Sequence, residues 1–303
     1  MTDLSVSIVN TNSRELLLAC LNSIGSTGAE LVVLDNASED GSVAAVKERF
    51  PHVRVIEQAH RGGFGANHNT VIRETSGRYV YVLNEDTTSE DWAFARLVAY
   101  LDAHPRVAAV GPKLVYPGGR RQDSAWRFPT PLVSALGVPT LGRVGVKQSR
   151  GEIARPVDWV MGAALLLRRE ALEQVGLFDE GFFLYSEEVD LQYRLRQAGW
   201  EVHYLPEVTV VHHESQFSAD IPERRINEMW RSRHRYWRKH HSGAGARAAA
   251  LATGVQYAAR ALLSPRRRAR LALHARDSWR VTGPGLRELA DEWNRRVGTA
   301  PRR

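Results

Sequence analysis

The chain has 303 residues, 43% of them hydrophobic and 25% charged, an ordinary balance for one α/β domain with an appendage. A single cysteine, Cys20, excludes an intramolecular disulfide and fits a reducing compartment. No stretch approaches the roughly 20 uninterrupted apolar residues of a membrane-spanning helix. The formal charge of +7 is unevenly spread, because residues 224–303 hold 20 Lys and Arg against 5 Asp and Glu and the rest is net acidic.

From Met1 the chain runs almost directly into Val6–Val9, without the basic and long apolar segments of a signal peptide, so a cytoplasmic protein is expected. Val6–Val9 reads as a strand and Arg14–Ile24 as a helix, with Leu16, Leu17, Cys20, Leu21 and Ile24 on one side. A strand at Leu31–Leu34, the turn Asp35–Gly41, a helix at Ser42–Phe50 and a strand at Val53–Ile56 follow. The glycines of 62–65 precede a helix near Asn67–Thr75 and a strand at Tyr79–Leu83. Strands separated by helices predict βαβ units and a mainly parallel sheet, whose ligands gather beyond the carboxyl ends of the strands. Asn10, Asp35 and Asn84–Asp86 each follow a strand, which aims polar groups at one rim.

Residues 117–156 are rich in Pro, Gly, Arg and Ser and read as loops and short elements, with a mobile lid one option. Regularity returns at Trp159–Arg168, then in helices near Arg169–Val175 and from Glu187 to Ala198, where Gly199 suits a left-handed cap. Strand pieces at Val202–Leu205 and Val208–Val211 lead into His212-His213. Beyond Pro222 the pattern is helical and basic, with a break at Ser264-Pro265. The expected division is one α/β domain over 1–222, in halves that meet at about 115, then a basic helical region over 223–303.

Several short segments carry candidate chemistry. Leu83-Asn-Glu-Asp-Thr87 places Asp86 where a carboxylate either holds a divalent cation on a diphosphate or caps a following helix. Asp35-Asn-Ala-Ser38 either binds a nucleotide or closes its own turn. Arg61-Gly-Gly-Phe-Gly-Ala-Asn-His-Asn69 lets backbone approach a ligand and offers Asn67 and Asn69, yet matches neither dinucleotide nor P-loop spacing. Phe182-Phe-Leu-Tyr-Ser-Glu-Glu-Val-Asp-Leu191 puts three carboxylates at a helix start, and one of them beyond apolar Phe183 and Tyr185 suits a general base. Of His212 and His213, which face opposite sides of a strand, one can join Asp86 on a metal.

In order and spacing these segments resemble the family-two GT-A glycosyltransferases, within them the bacterial rhamnosyltransferase-like branch, over about residues 4–240. Trp159-Val-Met-Gly-Ala163 and Phe178-Asp179 add to the likeness. The resemblance implies a GT-A fold, with a Rossmann-like, mainly parallel sheet flanked by helices, as a catalytic domain over 1–222 with a nucleotide half to about 115 and an acceptor half to 222. It implies nucleotide contacts from Asn12 and Asp35, with Asn10, Thr11, Gly63, Phe64, Asn69, Asn84 and Glu85 in the same donor-binding set. Asp86 with His213, or with His212, would bind Mg²⁺ or Mn²⁺. Glu188 aligns with the general base, Glu187 being the alternative, and Trp159 and Gly162 would line the sugar–acceptor cleft. The chain departs from the family pattern at Thr11, at Arg61, at Asn84 in place of the first Asp of the metal motif, and in having Glu at the base position.

The activity so implied is inverting transfer of a hexose from a dTDP- or UDP-sugar, dTDP-L-rhamnose first. The acceptor would be a hydroxyl of a glycan or polyprenyl-diphosphate-linked sugar in cell-wall or surface polysaccharide synthesis. Trp230, Tyr236 and Trp237 among the arginines of 224–238 suit a membrane interface, so peripheral binding at the inner membrane face is one expectation. Packing on the catalytic domain and a homo-oligomer contact are others. A non-catalytic nucleotide-sugar-binding scaffold is the alternative reading. Nucleic-acid binding would leave the carboxylate cluster unexplained.

Overall fold

The computed structural model describes residues 3–25, 28–90, 92–141, 146–214 and 221–298. Strand β1 (Leu4–Asn10) leads into helix α1 (Arg14–Ile24), followed by β2 (Glu30–Asp35), α2 (Ser42–Arg49), β3 (Arg54–Glu57), α3 (Phe64–Arg73) and β4 (Tyr79–Asn84). Short β5 (Thr87–Ser89) precedes α4 (Trp92–Ala103) and β6 (Val107–Val115). The middle segment holds β7 (Ala125–Trp126), α5 (Pro131–Leu136) and β8 (Arg155–Val157). Then come β9 (Trp159–Val160), β10 (Ala164–Arg168), α6 (Arg169–Val175), α7 (Glu187–Gln197) and β11 (Glu201–His212). The basic region forms α8 (Pro222–His240), α9 (Gly243–Leu263), α10 (Arg268–Asp277) and α11 (Leu286–Gly298); residues 299–303 of the expected region lie outside the described residues.

The main sheet runs β3-β2-β1-β4-β10-β6-β11-β5, with β8 also on β11. Strands β1 to β4 are mutually parallel, β10 runs antiparallel between β4 and β6, and β6 pairs in parallel with β11. The chain winds outward from β1 to β3 and returns through β4 on the other side of β1. That reversal opens a crevice beyond the carboxyl ends of β1 and β4, where ligands of such sheets bind.

Alternation along the strands assigns the two faces. Val6, Ile8, Leu31, Val33, Tyr79, Tyr81 and Leu83 pack with α1, α2 and α4, while Val80, Val82, Leu165 and Leu167 face α3, α6 and α7. The buried serine hydroxyls of β1 are satisfied: Ser5 Oγ donates to Glu30 Oε2 at 2.8 Å, and Ser7 Oγ meets His68 Nδ1 at 2.7 Å.

Strand β6 is the longest strand missing from the sequence reading. Its Gly111-Pro112 pair interrupts the pattern, and Gly111 is needed because a Cβ there would meet the Val160 side chain at 2.7 Å. The two strand pieces expected at 202–205 and 208–211 are one strand, with a register shift between Leu205 and Thr209 that accommodates Pro206.

Residues on both sides of position 222 share one hydrophobic cluster. Ile226, Trp230, Tyr236 and Trp237 of α8 and Ala246, Ala249 and Ala250 of α9 pack with Phe128, Trp159, Phe182 and Val189. Trp230, Tyr236 and Trp237 are 3%, 0% and 1% exposed, which corrects the expectation that they face a membrane. Their helical spacing places them on one stripe, and that stripe covers Phe128, Trp159, Phe182 and Val189 of the preceding domain. Among the described residues no helix is long and apolar enough to cross a membrane.

Asp190 on α7 fastens this packing. Its fully buried carboxylate meets Arg194 Nε at 2.9 Å, Lys239 Nζ at 2.7 Å and His240 Nε2 at 2.7 Å. Burial opposes its ionisation, but His240, Lys239 and Arg194 outweigh that and hold its pKa down to about 2. A depressed pKa contributes stability that is present above the unfolded carboxyl pKa of about 3.9 and is lost as pH falls through the folded one. Asp190→Asn therefore lowers unfolding stability by about 3 kcal/mol at neutral pH. Denaturant titrations at several pH values should show that difference shrinking as pH falls toward 2; equal midpoints at pH 7 would contradict it.

Candidate active site

Parallel register brings the polar strand ends together, Asn10 opposite Asp35 and Val9 opposite Asn84. Asn10 Nδ2 donates to Asp35 Oδ1 and to Ser38 Oγ, both at 3.1 Å, and the Ser38 N–H donates to Asp35 Oδ2 at 2.9 Å. Asn12, held at φ +53°, accepts the Glu39 N–H on Oδ1 at 2.7 Å. Asn10, Asn12 and Asp35 thus brace the β1 and β2 turns. They lie behind a cavity of about 380 Å³ rather than on its lining. Thr11 does line it, with Asn36, whose Nδ2 donates to Thr11 Oγ1 at 3.0 Å and whose Oδ1 accepts the Gly62 N–H at 2.7 Å.

Asn84, Glu85 and Asp86 line the same cavity after β4. Asp86 Oδ1 lies 3.3 Å from His212 Nε2, and His212 Nδ1 lies 2.9 Å from Gln122 Oε1. An amide oxygen only accepts, so Nδ1 carries a proton, and in the neutral ring Nε2 then turns a lone pair toward the Asp86 side. One carboxylate oxygen and one imidazole nitrogen suit a divalent cation whose other positions go to diphosphate and water. Asn84 adds a side chain 3.5 Å from His212 Nε2. Among the described residues no three His, Cys, Asp or Glu side chains form a closed metal site. His213 is exposed and offers Asp86 only its backbone N–H, 2.9 Å from the Asp86 carbonyl. The expected pairing of Asp86 with His213 is therefore corrected to His212, the neighbour on the inward face of β11. Burial, with the charge of Asp86, pushes the Glu85 carboxyl up to about 8.

The Gly-rich turn serves the chain itself. A Cβ on Gly63 would sit 2.6 Å from the Phe183 carbonyl oxygen, and that oxygen accepts the Phe64 N–H at 2.8 Å. The expected ligand-facing role for Gly63 gives way to this backbone crossing, while Gly62 and Phe64 on either side line the cavity. Asn69 is buried and grips Phe178, donating to its carbonyl at 2.9 Å and accepting its N–H at 3.0 Å. Trp159 is 9% exposed and stacks on Trp126 with ring centroids 4.5 Å apart, outside the cavity.

Beyond Phe183 the chain turns through Tyr185 and Ser186 at φ +68° and +66° before α7 starts at Glu187. Two successive left-handed non-glycine residues store strain that the flanking contacts must hold. The turn delivers Glu187 and Glu188 to the cavity, and Oε2 of each is buried with no hydrogen-bond partner among the described residues. Burial raises both pKa values. Glu187, 3% exposed, goes well above the usual range, burial and then the charge of Glu188 being the causes. Glu188 is half-buried, and the guanidinium of Arg233 partly offsets its burial. Gly162 also lines the cavity; a Cβ on it would lie 3.3 Å from the Phe64 ring and 3.6 Å from Glu188 Cβ.

The sequence reading missed one wall entirely. Leu286, Leu289 and Ala290 of α11 close the cavity, and Arg225 of α8 donates to the Tyr185 hydroxyl at 3.0 Å. Helix α11 is clamped by Asn294, which accepts the Arg61 N–H at 2.7 Å and donates to the Arg61 carbonyl at 3.1 Å. The Arg61 guanidinium also lies 4.3 Å from the Trp293 ring centroid. The 3–4 spacing of Leu286, Leu289, Ala290 and Trp293 was the available signal. Gln122, alone in a loop, gave none.

The sequence profile described as Glycosyl transferase family 2 matches residues 5–176. The chain is 33% identical over 251 residues to the N-acetylglucosaminyl-diphospho-decaprenol L-rhamnosyltransferase of Mycobacterium tuberculosis (strain ATCC 25618 / H37Rv), covering 76% of this chain and 81% of that one. The mannosyltransferase PcManGT from Pyrobaculum calidifontis, solved with GDP-Man and Mn²⁺, superposes at a TM-score of 0.58 and 19% identity, over 98% of this chain and 84% of that one. GalNAc-T7 with UDP, GalNAc and Mn²⁺ gives 0.55 at 17% identity, over 77% and 47%. The fold is GT-A, a mixed α/β sheet flanked by helices.

Because Gly63 admits the Phe183 backbone, Gly63→Ala should cost about 1–3 kcal/mol through overpacking. Chemical denaturation measures this, and an unchanged midpoint would refute the close-approach role.

Proposed function

The chain belongs to glycosyl transferase family 2, and we propose that it transfers a hexose with inversion onto a hydroxyl of a polyprenyl-diphosphate-linked sugar in cell-wall or surface polysaccharide synthesis. L-rhamnose from dTDP-L-rhamnose is the proposed donor, within the wider class of dTDP- and UDP-hexoses; the rhamnosyltransferase relative supports it. The observation that carries the reading is a cavity of about 380 Å³ holding both a buried carboxylate oxygen on Glu188, without a hydrogen-bond partner among the described residues, and the Asp86–His212 pair.

Asp86 and His212 would hold Mg²⁺ or Mn²⁺, which when bound supplies positive charge to the departing nucleoside diphosphate. Glu188 accepts the proton of the acceptor hydroxyl as that oxygen forms its bond to the anomeric carbon. The anomeric C–O bond to the diphosphate breaks on the opposite face, its electron pair leaving with the nucleoside diphosphate. Configuration inverts in that single displacement. Glu188 is chosen over Glu187 because burial and the charge of its neighbour raise the Glu187 pKa well above the usual range, while Arg233 favours the ionised form of Glu188. Phe64, Phe183 and Leu289 exclude water from the reacting centre. A membrane-embedded acceptor would be met at the inner face.

Glu188→Gln should lower kcat by about 10²- to 10⁴-fold with donor affinity unchanged. Wild-type rates for that variant in a donor-consumption assay would reject the assignment. Since Glu188 acts ionised and its pKa is raised, kcat/KM should fall with decreasing pH through a value above the ordinary glutamate pKa of about 4.3. A profile flat down to that ordinary value would count against it. Asp86→Ala should remove the Mn²⁺-dependent part of donor binding in titration calorimetry, and Mn²⁺-dependent binding that persists would contradict the metal assignment.

A further inference from the structure

A second cavity, of about 450 Å³, lies outside the donor cleft and is lined by five arginines: Arg231, Arg235, Arg238, Arg280 and Arg287. It backs onto the cleft. Gly181 lines it, two residues before Phe183 of the cleft wall; Arg287 lines it, next to Leu286 of the same wall. The Arg287 guanidinium stands 5.4 Å from the Phe183 ring centroid, so one layer of side chains separates the two spaces.

Part of this charge is committed. Arg231 pairs with Glu288, Arg235 meets Asp179 at 3.2 Å, and Arg287 donates to the Gly181 carbonyl at 3.0 Å. The side chains of Arg238 and Arg280 are exposed and make no ion pair or hydrogen bond among the described residues. The acid in the lining is Glu228, 3% exposed, which accepts the Arg287 backbone N–H at 3.2 Å and whose pKa is raised by burial. His234, engaged with the Asp277 carbonyl at 3.1 Å, is kept neutral by its own burial. The cavity thus holds more positive charge than its neighbours neutralise. Guanidinium groups in such an excess match the planar, bidentate recognition of phosphate oxygens. Trp279, 56% exposed in the same lining, lays one edge of its indole against Gly254 of α9.

We propose that this arginine cavity binds the diphosphate of the acceptor, so that the sugar attached to it reaches across the Phe183 wall into the cleft. The identity of the diphosphate rests on the acceptor class proposed above; the anion site itself rests on the arginines alone. The cavity volume falls within the range of ligand sites, and the five arginines come from α8, α11 and the segment between α10 and α11, the region carrying the surplus charge.

Two measurements on the full chain test this. In metal-free buffer, inorganic pyrophosphate is titrated into wild type, Arg238→Gln/Arg280→Gln and Asp86→Ala. Affinity should fall about tenfold or more in the arginine variant, which removes two charge-assisted contacts, and stay unchanged in Asp86→Ala. No binding to wild type, equal binding to the arginine variant, or loss in Asp86→Ala overturns the site. In steady-state transfer, the arginine variant should raise KM about tenfold for an alkyl-diphospho-N-acetylglucosamine while kcat stays within about twofold, and leave KM unchanged for an alkyl N-acetylglucosaminide lacking phosphate. If KM changes for both acceptors or for neither, the cavity holds some other anion and the acceptor assignment falls. If wild type uses neither acceptor, the acceptor reading fails and the pyrophosphate titration alone decides the anion site.

Discussion

One steric condition underlies the site: the backbone at Phe183 must lie against a residue with no Cβ. Gly63 meets it, and the hydrogen bond from the Phe64 N–H to the Phe183 carbonyl locks the crossing at 2.8 Å. Asn69 holds Phe178 on the same helix, so α3 grips the 178–183 segment at both ends. Between that grip and α7 only Leu184, Tyr185 and Ser186 remain to turn the chain. The turn is tight enough to force two left-handed non-glycine residues, a strain of about 1–3 kcal/mol each. The strand ends near β4 and the acids of α7 are thereby referred to a single point of contact. A shift there moves the carboxylates relative to Asp86 and His212.

Three carboxylates within four residues end in three electrostatic conditions. Asp190 faces away from the cavity into Arg194, Lys239 and His240 and is held ionised. Glu187 is buried beside another acid and is driven toward its neutral form. Glu188 is half-buried, with Arg233 near enough to offset part of its burial. Separating the pKa values of neighbouring acids by environment is how a fold assigns one to structure and another to proton transfer. The helix position alone could not do so, since all three share the same first turn.

Much of the first half was legible because short β-branched runs and one-sided helices report their own periodicity; α1 ends where its apolar stripe ends. The rim of Asn10, Asp35 and Asn84–Asp86 followed from the same pattern, since parallel strands deliver their carboxyl ends together. What the pattern could not give was direction. Asp35 and Asn10 are aimed at each other and at Ser38, and a residue type placed after a strand says nothing about which side of the turn its oxygen will occupy. His212 and His213 were separable only as opposite faces; the choice needed Gln122, a partner 90 residues away along the chain. Strand β6 escaped because Gly111-Pro112 reads as a turn, and its glycine answers to Val160 across the sheet rather than to any local signal.

The basic extension looked separable on charge alone, yet its cations have specific work in the net-acidic part. Lys239 pairs with Asp190 and His240 hydrogen-bonds it, Arg235 and Lys239 bracket Asp179, and Arg233 offsets part of the burial of Glu188. Exposed ion pairs of this kind contribute little individually; Asp190 is the exception because it is fully buried and would otherwise carry an uncompensated charge. The apolar stripe of α8 supplies the burial that makes those pairs matter, while α11 supplies the last wall of the cavity. A charge excess that first reads as a surface-binding tail is therefore better understood as a complement. The preceding domain places Asp179 and Asp190 where α8 covers them, and arginines left over gather in one cavity beside the cleft.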